Sequence, residues 1–540
     1  MNIRQKKLLL FGLLITAAGV LFRLFRLEAA LEYDEIWTLE GYASSSIRAI
    51  FTTLSLPNNH PLNSLAVKLT AFSGAAPQWI RLVPFLAGVL AIPLAGVVAF
   101  GLWRRRNAAL WSMFFVAALP QAVFYSQQAR GYSLQLFCLL LFAAGLYAAR
   151  RFPLPGCAGI LLGATGAMLT LPTSAFYLGA AGTAAAFRCR KTWKKHLPAA
   201  LALAVAGAFA LVWVLVNFSA FQANRSWGFP IDSFAAFGSF LYRTVDKTLP
   251  TIILLAAVPA LLFFFRRTLP ILWIWLWLVA AAVVFNAGPV RTYLPLAAAT
   301  VLLSGAGVAQ LRRRFPAYGK IILLVFTVLT LAALVSAYRE PHPDWYAMQE
   351  TTQQLPPEIL VLFPANDSRP LAWNNAPDSY REQLRRIAPL PPGHRKRSLL
   401  VVSRDGTLTG YAPNGSESPV AIAAEGVPVK FDAMQGTLYG LEELDGPPAV
   451  GDTVVAFIRP LPEAEAQKLL HRLSSALQKN FLSFNVWLCT SVTEGGTVYR
   501  YYVAGGCIDK TDNRDDWEGF LREKPGATAL YRIVPAGKNR

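Results

Sequence analysis

The sequence predicts a polytopic α-helical membrane domain of about eleven spans, followed by a smaller soluble α/β domain. Apolar runs of membrane-spanning length recur through residues 1–338, and a cluster of Lys or Arg occupies every second gap between them. Beyond these residues the apolar runs shorten to the length of strands, and helical patterns separate them. We therefore expect a membrane domain at 1–338 and a second domain at 339–540.

The charge of the chain divides at the same place. Residues 1–338 contain 29 Lys and Arg and seven acids, which gives a formal charge of +22. Residues 339–540 contain 22 basic and 24 acidic residues, which gives −2. The basic charge is spread over the gaps between apolar runs and not gathered on one face, so a nucleic-acid partner is not expected.

Eleven apolar runs are predicted to be spans. They cover residues 8–27, 82–103, 107–124, 131–149, 156–171, 173–187, 197–217, 249–265, 270–286, 290–310 and 320–338. The segment Pro61–Ala71 is too short to cross and contains Lys68, so we expect a helix lying in the outer interface. The first run has a basic start and small residues at its end, which leaves a cleaved signal peptide as an alternative, although the run is long for one.

The distribution of Lys and Arg predicts the orientation. With the N-terminus in the cytoplasm, 19 of the 29 basic residues fall in dense inner clusters, whereas the outer ones are mostly single. This orientation puts residues 28–60 and the whole of 339–540 outside. All seven acids of the membrane domain then face outwards.

The stretch "LEYDEIWTLEGYA", Leu31–Ala43, contains four of those acids directly after the first apolar run. Asp34 and Glu35 precede apolar residues at near-helical spacing, which predicts a short helix held against the membrane. A carboxylate fixed at a membrane interface is costly and tends to be functional. Asp34 and Glu35 are therefore the catalytic candidates. The other acids nearby are expected to be solvated: Glu28, Glu32 and Glu40.

Three further outer segments are polar. They are "NNHPLNSLAVKL" from Asn58, "YSQQARGYS" from Tyr125 and "NAGPVRTYLPL" from Asn286. Arg130 and Arg291 in the last two oppose the charge rule, so each needs a reason. Phosphate binding is one, and contact with lipid headgroups is the alternative.

Together these motifs resemble the C superfamily of membrane glycosyltransferases. The resemblance is closest to the bacterial branch of the protein O-mannosyltransferase-like, ArnT-like family, of the glycosyltransferase family 39 type. It covers roughly residues 1–338 and rests on four motifs in order: Asp34-Glu35, His60-Pro61-Leu62, Tyr125–Tyr132 and Arg291–Pro295. The chain departs from the family pattern at three places: one proline of "HPPL" is missing, Gln128 stands where the family has Glu, and Thr292 interrupts the Arg-Tyr pair.

The resemblance implies a GT-C type fold with a catalytic outer loop at 28–60, in the bacterial inner membrane. It implies transfer of a sugar from a polyprenyl-phosphate donor to a lipid, glycan or protein acceptor on the periplasmic face, with inversion. Asp34 would be the base and Glu35 its partner, through a hydrogen bond or at a metal. Arg130 and Arg291 would bind the donor phosphate, with His60 and Lys68 as weaker candidates. The remaining substrate-binding candidates are Tyr125, Gln127, Tyr132 and Tyr293.

No cofactor is required by the sequence. A divalent cation stays open, although no His, Cys and Asp cluster has metal-ligand spacing. Two other functions also stay open: a transporter or flippase for a lipid-linked sugar, and a ligase for a preassembled glycan. A transporter would usually show broken helices at the middle of the membrane and an inverted repeat.

In the second domain, strand-like runs alternate with helices, one near "HPDWYAMQETTQQL" and one from Pro462. We expect this domain to dock the acceptor or to support the membrane domain. Cys489 and Cys507 lie outside in the predicted orientation, in an oxidising compartment, so the sequence predicts a disulfide between them.

Overall fold

The computed structural model describes most of the chain. The described residues are 3–54, 59–71, 76–189, 196–224, 230–285, 290–339, 343–363, 370–371, 373–375, 378–387, 396–402, 409–411, 417–419, 424–431, 433–444, 449, 451–462, 465, 481–494, 497–508 and 527–536. The chain divides into two compact units. The first consists of Met1–Ala29 and Trp37–Pro341, and the second of Ala30–Ile36 and His342–Arg540.

The first unit is helical. Its α-helices are α1 Ile3–Leu24, α2 Tyr33–Trp37 (shared with the second unit), α3 Ile47–Thr52, α4 Pro61–Thr70, α5 Pro77–Ile80, α6 Leu82–Trp103, α7 Arg106–Ala118, α8 Pro120–Ser126, α9 Tyr132–Ala148, α10 Pro153–Thr170, α11 Ser174–Cys189, α12 Leu197–Val216, α13 Phe218–Asn224, α14 Phe234–Thr248, α15 Thr251–Phe263, α16 Phe265–Phe285, α17 Leu294–Arg314 and α18 Gly319–Arg339. A π-helix at Thr38–Ala43 and 3₁₀ turns at Val290–Tyr293 and Pro316–Tyr318 complete it.

The prediction of a polytopic helical domain is confirmed, since each predicted span contains a helix. Among the described residues, seven helices are long and apolar enough to cross a membrane, or nine if two bent pairs count as one span each. The pairs are α7 with α8, bent by 57°, and α14 with α15, bent by 105°. The predicted number of eleven is larger because α9 and α11 have only 17 and 16 residues.

Helix α17 lies at the centre of the first unit and is buried along most of its length. Its "SGAG" run, residues 304–307, allows neighbouring backbones to approach closely. A Cβ atom at Gly307 would lie 1.8 Å from the Ala256 carbonyl oxygen of α15. The hydroxyl of Ser304 also donates to the carbonyl oxygen of Ile253 on α15, at 2.7 Å. Small residues therefore set the packing of this helix pair, as is common between membrane helices.

The second unit contains a sheet and two described helices, α19 Trp345–Gln354 and α20 Asp378–Ile387. Its strands are β1 Ile359–Leu362, β2 Lys396–Val402, β3 Thr409–Tyr411, β4 Glu417–Pro419, β5 Val427–Lys430, β6 Gln435–Glu443, β7 Thr453–Pro462, β8 Phe481–Glu494, β9 Thr497–Ile508 and β10 Ala527–Val534. The order is β1-β2-β6-β10-β7-β9-β8-β3-β4, and β5 also pairs with β6. Among the described strands only β1 and β2 pair in parallel.

The predicted sheet-containing second domain is confirmed, and most of its strand pairs are antiparallel. The helix expected from Pro462 falls largely outside the described residues. Asp344 begins α19 as its N-cap, since its carboxylate accepts from the backbone N–H groups of Tyr346 and Ala347, both at 3.1 Å.

The predicted Cys489–Cys507 disulfide is wrong for this strand register. In the β8–β9 hairpin, Cys507 is paired with Ser483, six positions before Cys489 on β8. At about 3.3 Å per residue, this offset separates the two cysteines by roughly 20 Å along the strand. A disulfide needs Cα atoms about 4.4–6.8 Å apart. The spacing of eighteen residues suggested a closed loop, but the last described pair of the hairpin is Glu494 with Thr497, which lies much nearer in sequence to Cys489 than to Cys507.

Candidate active site

The predicted catalytic acids lie on α2. Glu35 is fully buried, and its Oε2 accepts the backbone N–H of Glu32 at 3.0 Å. Glu32 is the N-cap of this short helix and Glu35 its third residue, so the contact is one half of a capping box. Asp34 is half-buried. Glu35 therefore stabilises the short helix on which Asp34 lies.

The segment Ala30–Ile36, which we call the carboxylate segment, is fixed within the second unit. The backbone N–H of Leu31 donates to Asn374 Oδ1 at 2.9 Å, and Asn374 Nδ2 donates to the Leu31 carbonyl at 3.0 Å. Ala30 packs in the same apolar core as Trp345 and Met348 of α19. The two hydrogen bonds between Leu31 and Asn374, which we call the Leu31–Asn374 bracket, and the apolar contact of Ala30 thus hold the chain just before Asp34.

The π-helix Thr38–Ala43 follows directly, and π-helical turns occur often at functional sites. Lys68 on α4 donates to the carbonyl oxygens of Ala43 and Ser45, at 3.0 and 2.9 Å. The structure therefore gives Lys68 a capping contact at the end of this turn, where a cation is favoured. Tyr42 in the π-helix is buried, and its hydroxyl has no hydrogen-bond partner among the described residues.

The "YSQQARGY" motif, Tyr125–Tyr132, spans the end of α8 and the start of α9. We call it the YSQQARGY segment. Ser126 is buried, and its Oγ accepts from Nε of Arg23 at 3.1 Å. Gln127 Nε2 donates to the carbonyl oxygens of Phe22 and Arg23, both at 3.2 Å. Both side chains tie this segment to the end of α1, so Gln127, predicted to bind substrate, has a structural contact here.

Arg23 is a fully buried cation that sequence inspection did not single out. Its guanidinium donates to the carbonyl oxygens of Gly19, Ala117 and Val116, at 3.0, 3.0 and 3.1 Å. Pro120 has no N–H, so the break between α7 and α8 leaves the Val116 carbonyl without its helical donor. Arg23 supplies that donor. The cation thus stabilises the helix break from which the YSQQARGY segment begins.

We expect Arg23→Met to lower the thermal stability of the purified protein, because the buried carbonyl groups lose their hydrogen-bond donor. Each buried group left unsatisfied lowers the free energy of unfolding by about 1–3 kcal/mol. Ser126→Ala removes a single neutral partner, so it should lower the melting temperature less. Both variants are measured in the same detergent. Equal melting temperatures for Arg23→Met and the parent would mean that the break does not need this cation.

The middle of the YSQQARGY segment is held from α4. Asn63 Nδ2 donates to the Ala129 carbonyl at 3.0 Å, and the backbone N–H of Gly131 donates to His60 Nδ1 at 2.8 Å. A Cβ atom at position 131 would lie 2.7 Å from both His60 Nδ1 and Thr170 Cγ2. Only glycine fits this approach, so the motif glycine lets His60 reach the backbone beside Arg130.

The side chains of the segment converge on Arg130. Arg130 is buried, and its Nη2 donates to the Tyr132 hydroxyl at 3.5 Å. The Tyr132 ring contacts the rings of Tyr125 and His60, with centroids 4.7 and 5.0 Å apart. The predicted residues Tyr125, Tyr132, Arg130 and His60 therefore form one cluster in the first unit.

The charge of Arg291 also acts on this cluster. Burial and the positive charges of Arg130 and Arg291 hold the pKa of His60 well below its ordinary value. Burial raises the pKa of Tyr42, and the charge of Arg130 opposes that rise. The two arginines come from motifs about 160 residues apart in sequence, yet both act on one imidazole. The cluster is a cationic site with a neutral histidine.

Tyr293 lies beside Arg291 in the 3₁₀ turn and is buried with Tyr177 and Leu296. Its ring contacts that of Phe240, with centroids 5.3 Å apart. The Tyr177 hydroxyl donates to the carbonyl oxygen of Thr292 at 3.1 Å. Packing and this hydrogen bond fix the turn that carries Arg291. Thr292, which lies between Arg291 and Tyr293, takes part through its backbone carbonyl.

Sequence reasoning missed Arg23, Tyr42 and Asn63. Arg23 was visible as a cation near the outer end of the first span, and Asn63 as a polar residue three positions after His60. Asp34 and Glu35 belong to the second unit, and the arginine cluster to the first. Among the described residues, no group of three or more His, Cys, Asp and Glu side chains is arranged to hold a metal ion.

No protein-family model matches the sequence, and no curated protein matches it. Solved structures are similar to it at low identity. ArnT from Cupriavidus metallidurans in the apo state aligns with 81% of this chain and 98% of its own, at 14% identity and a TM-score of 0.42. Its complex with undecaprenyl phosphate aligns over 79% and 97%, at 14% identity and a TM-score of 0.41. An oligosaccharyltransferase from Archaeoglobus fulgidus, in complex with Zn and sulfate, aligns with 64% of this chain at 14% identity and a TM-score of 0.38; the match spans 55% of that archaeal chain.

Proposed function

We propose that this protein transfers a sugar from a polyprenyl-phosphate donor to an acceptor at the outer face of the bacterial inner membrane. The observation that carries the proposal is the cluster of Arg130, Arg291 and His60 in the first unit. Two cations around a neutral imidazole suit an anion such as a phosphate diester. Nucleotide sugars are cytoplasmic, so a transferase that acts outside needs a lipid-linked donor.

The proposed reaction needs one base and a stabilised leaving group. Asp34 takes the proton of an acceptor hydroxyl as its oxygen attacks the anomeric carbon. The bond from that carbon to the phosphate oxygen breaks, and its electron pair stays on the polyprenyl phosphate. Arg130 and Arg291 stabilise the negative charge that develops there. In-line attack inverts the anomeric configuration.

The second unit has a defined part in this proposal, because it holds the carboxylate segment. The Leu31–Asn374 bracket and the contacts of Ala30 fix the backbone next to the base. Docking of the lipid, glycan or protein acceptor near Asp34 is consistent with that placement. The distribution of Lys and Arg supports an outward-facing second unit and a cytoplasmic N-terminus.

A flippase for a lipid-linked sugar is the second candidate, and the bent pairs α7–α8 and α14–α15 favour it, since transporters use broken helices. In this chain, however, the break at Pro120 is satisfied by the buried Arg23 and leads into the arginine cluster. Bond cleavage separates the two functions: a flippase moves the donor intact, whereas a transferase releases sugar-free polyprenyl phosphate.

The test uses the full chain reconstituted in liposomes. Synthetic polyprenyl phosphates carrying glucose, mannose or arabinose are supplied with a cell-envelope acceptor fraction, and the lipids are followed by mass spectrometry. We expect one donor to yield sugar-free polyprenyl phosphate together with a matching mass increase in an acceptor. Donors that stay intact while crossing the bilayer would instead establish the flippase.

A further inference from the structure

Two side chains at the start of α4 hold the backbone on either side of Arg130. His60 is the N-cap of α4 and Asn63 is the third residue of this helix. One polar atom of each side chain bonds the YSQQARGY segment: His60 Nδ1 accepts from the Gly131 N–H, and Asn63 Nδ2 donates to the Ala129 carbonyl. These contacts explain the position of the segment, but they involve only one of the two polar atoms of each side chain.

The second polar atom of each side chain is buried without a hydrogen-bond partner among the described residues. His60 is 1% exposed and Asn63 is 0% exposed. Within the part of the chain that the structure describes, His60 Nε2 and Asn63 Oδ1 have no hydrogen-bond partner. Folded proteins rarely leave buried polar atoms unsatisfied, because each lost hydrogen bond to water is costly. Two such atoms beside a cationic site suggest that a ligand completes them.

The two atoms differ in chemistry. Since Nδ1 of His60 accepts from Gly131, the neutral imidazole carries its proton on Nε2, which is a donor. The amide nitrogen of Asn63 donates to Ala129, which leaves Oδ1 as an acceptor. Burial and the nearby arginine charges lower the pKa of His60, and this keeps the ring neutral near pH 7. A phosphate diester has no proton to give to Oδ1, whereas a hydroxyl group both accepts and donates.

We propose that His60 and Asn63 form a hydroxyl-binding subsite for the transferred sugar, beside the phosphate site of Arg130. His60 Nε2–H donates to a sugar hydroxyl, and that hydroxyl or its neighbour donates to Asn63 Oδ1. The subsite rests on the proposed function, because its ligand is the sugar of the lipid-phosphate donor. It assigns sugar selection to α4 and phosphate binding to the arginines.

Substitutions at His60 separate its two nitrogens. His60→Asn places an amide oxygen near the Nδ1 position, so the contact with Gly131 survives while the Nε2 donor is lost. His60→Gln does the reverse and loosens the segment that carries Arg130. Asn63→Leu removes the acceptor and also the contact with Ala129. The readout is the ratio of two affinities of one protein, for a polyprenyl phosphate with and without its sugar, so that effects of the segment on phosphate binding cancel.

The experiment measures binding of short-chain polyprenyl phosphate and of the same lipid carrying glucose, mannose or arabinose. In the parent we expect one sugar-bearing lipid to bind more tightly than the sugar-free lipid. His60→Asn and Asn63→Leu should each lower the ratio of the two affinities by about three- to tenfold. His60→Gln should weaken both lipids and retain more of the preference.

The failures are distinguishable. If the parent binds neither lipid, the proposed function is wrong and the subsite with it. If the parent prefers a sugar-bearing lipid and both His60→Asn and Asn63→Leu keep the full preference, the subsite is wrong and the proposed function stands. Should one of these variants fail to fold, the other decides the outcome.

Discussion

Replacing Asp34 by Asn is expected to lower the rate of sugar transfer by about 10²–10⁴-fold, the usual contribution of a positioned general base. Asn has nearly the same size as Asp and can keep the short helix α2, but it cannot take the acceptor proton. Binding of the lipid-phosphate donor should change little, because the role proposed for Asp34 does not include binding the phosphate. Turnover and donor affinity are measured on the same purified protein.

Glu28→Gln and Glu40→Gln are the matched controls for Asp34→Asn. Both residues lie close to Asp34 in sequence, and both are exposed, so neither change should alter the rate. If Asp34→Asn folds normally and transfers sugar at the parental rate, Asp34 is not the base. A rate loss shared by all three variants would point to a general effect of negative charge in this region.

Arg130→Ala and Arg291→Ala should weaken binding of the donor phosphate as well as slow transfer. A charge-assisted hydrogen bond contributes about 1.5–3 kcal/mol, so each loss corresponds to a dissociation constant roughly 10- to 150-fold higher. The measurement is titration of each variant with sugar-free polyprenyl phosphate at fixed salt concentration. The effect on affinity distinguishes these variants from Asp34→Asn.

Arg48→Ala is the control for general loss of positive charge. Arg48 lies on α3 in the same unit, and its side chain is exposed. We expect its affinity for the phosphate lipid to match that of the parent. Parental affinity in both Arg130→Ala and Arg291→Ala would contradict the assignment of the cationic cluster to phosphate.

The helices of the first unit were predictable because a bilayer imposes a length and an apolar composition on each span. The predicted run 82–103 coincides with α6, Leu82–Trp103. The four motifs also pointed to Arg130, His60 and Tyr132, and the structure brings these three side chains together. Motif matching could not show which motif residues make structural contacts, since the contacts of Gln127 and Lys68 with backbone carbonyls arise only from tertiary packing.

Features that depend on pairing between distant segments were not predictable. The Cys489–Cys507 bridge failed because sequence spacing does not fix the register of a hairpin that contains bulges. The partner of the Val116 carbonyl could not be read from the sequence either. Pro120 signals a missing donor, but several cations could have supplied a new one, and only the packing of α1 on α7 selects Arg23.

The Leu31–Asn374 bracket has a consequence for biosynthesis. The two residues are 343 positions apart. At about 5–20 residues per second, Asn374 leaves the ribosome roughly 17–70 s after Leu31. During that interval the membrane helices are made and inserted while the segment bearing Asp34 still lacks the partner that fixes it. The helices of the membrane domain are therefore synthesised before Asn374 can fix the segment that bears Asp34, so the position of the proposed base is set only after that domain has been made.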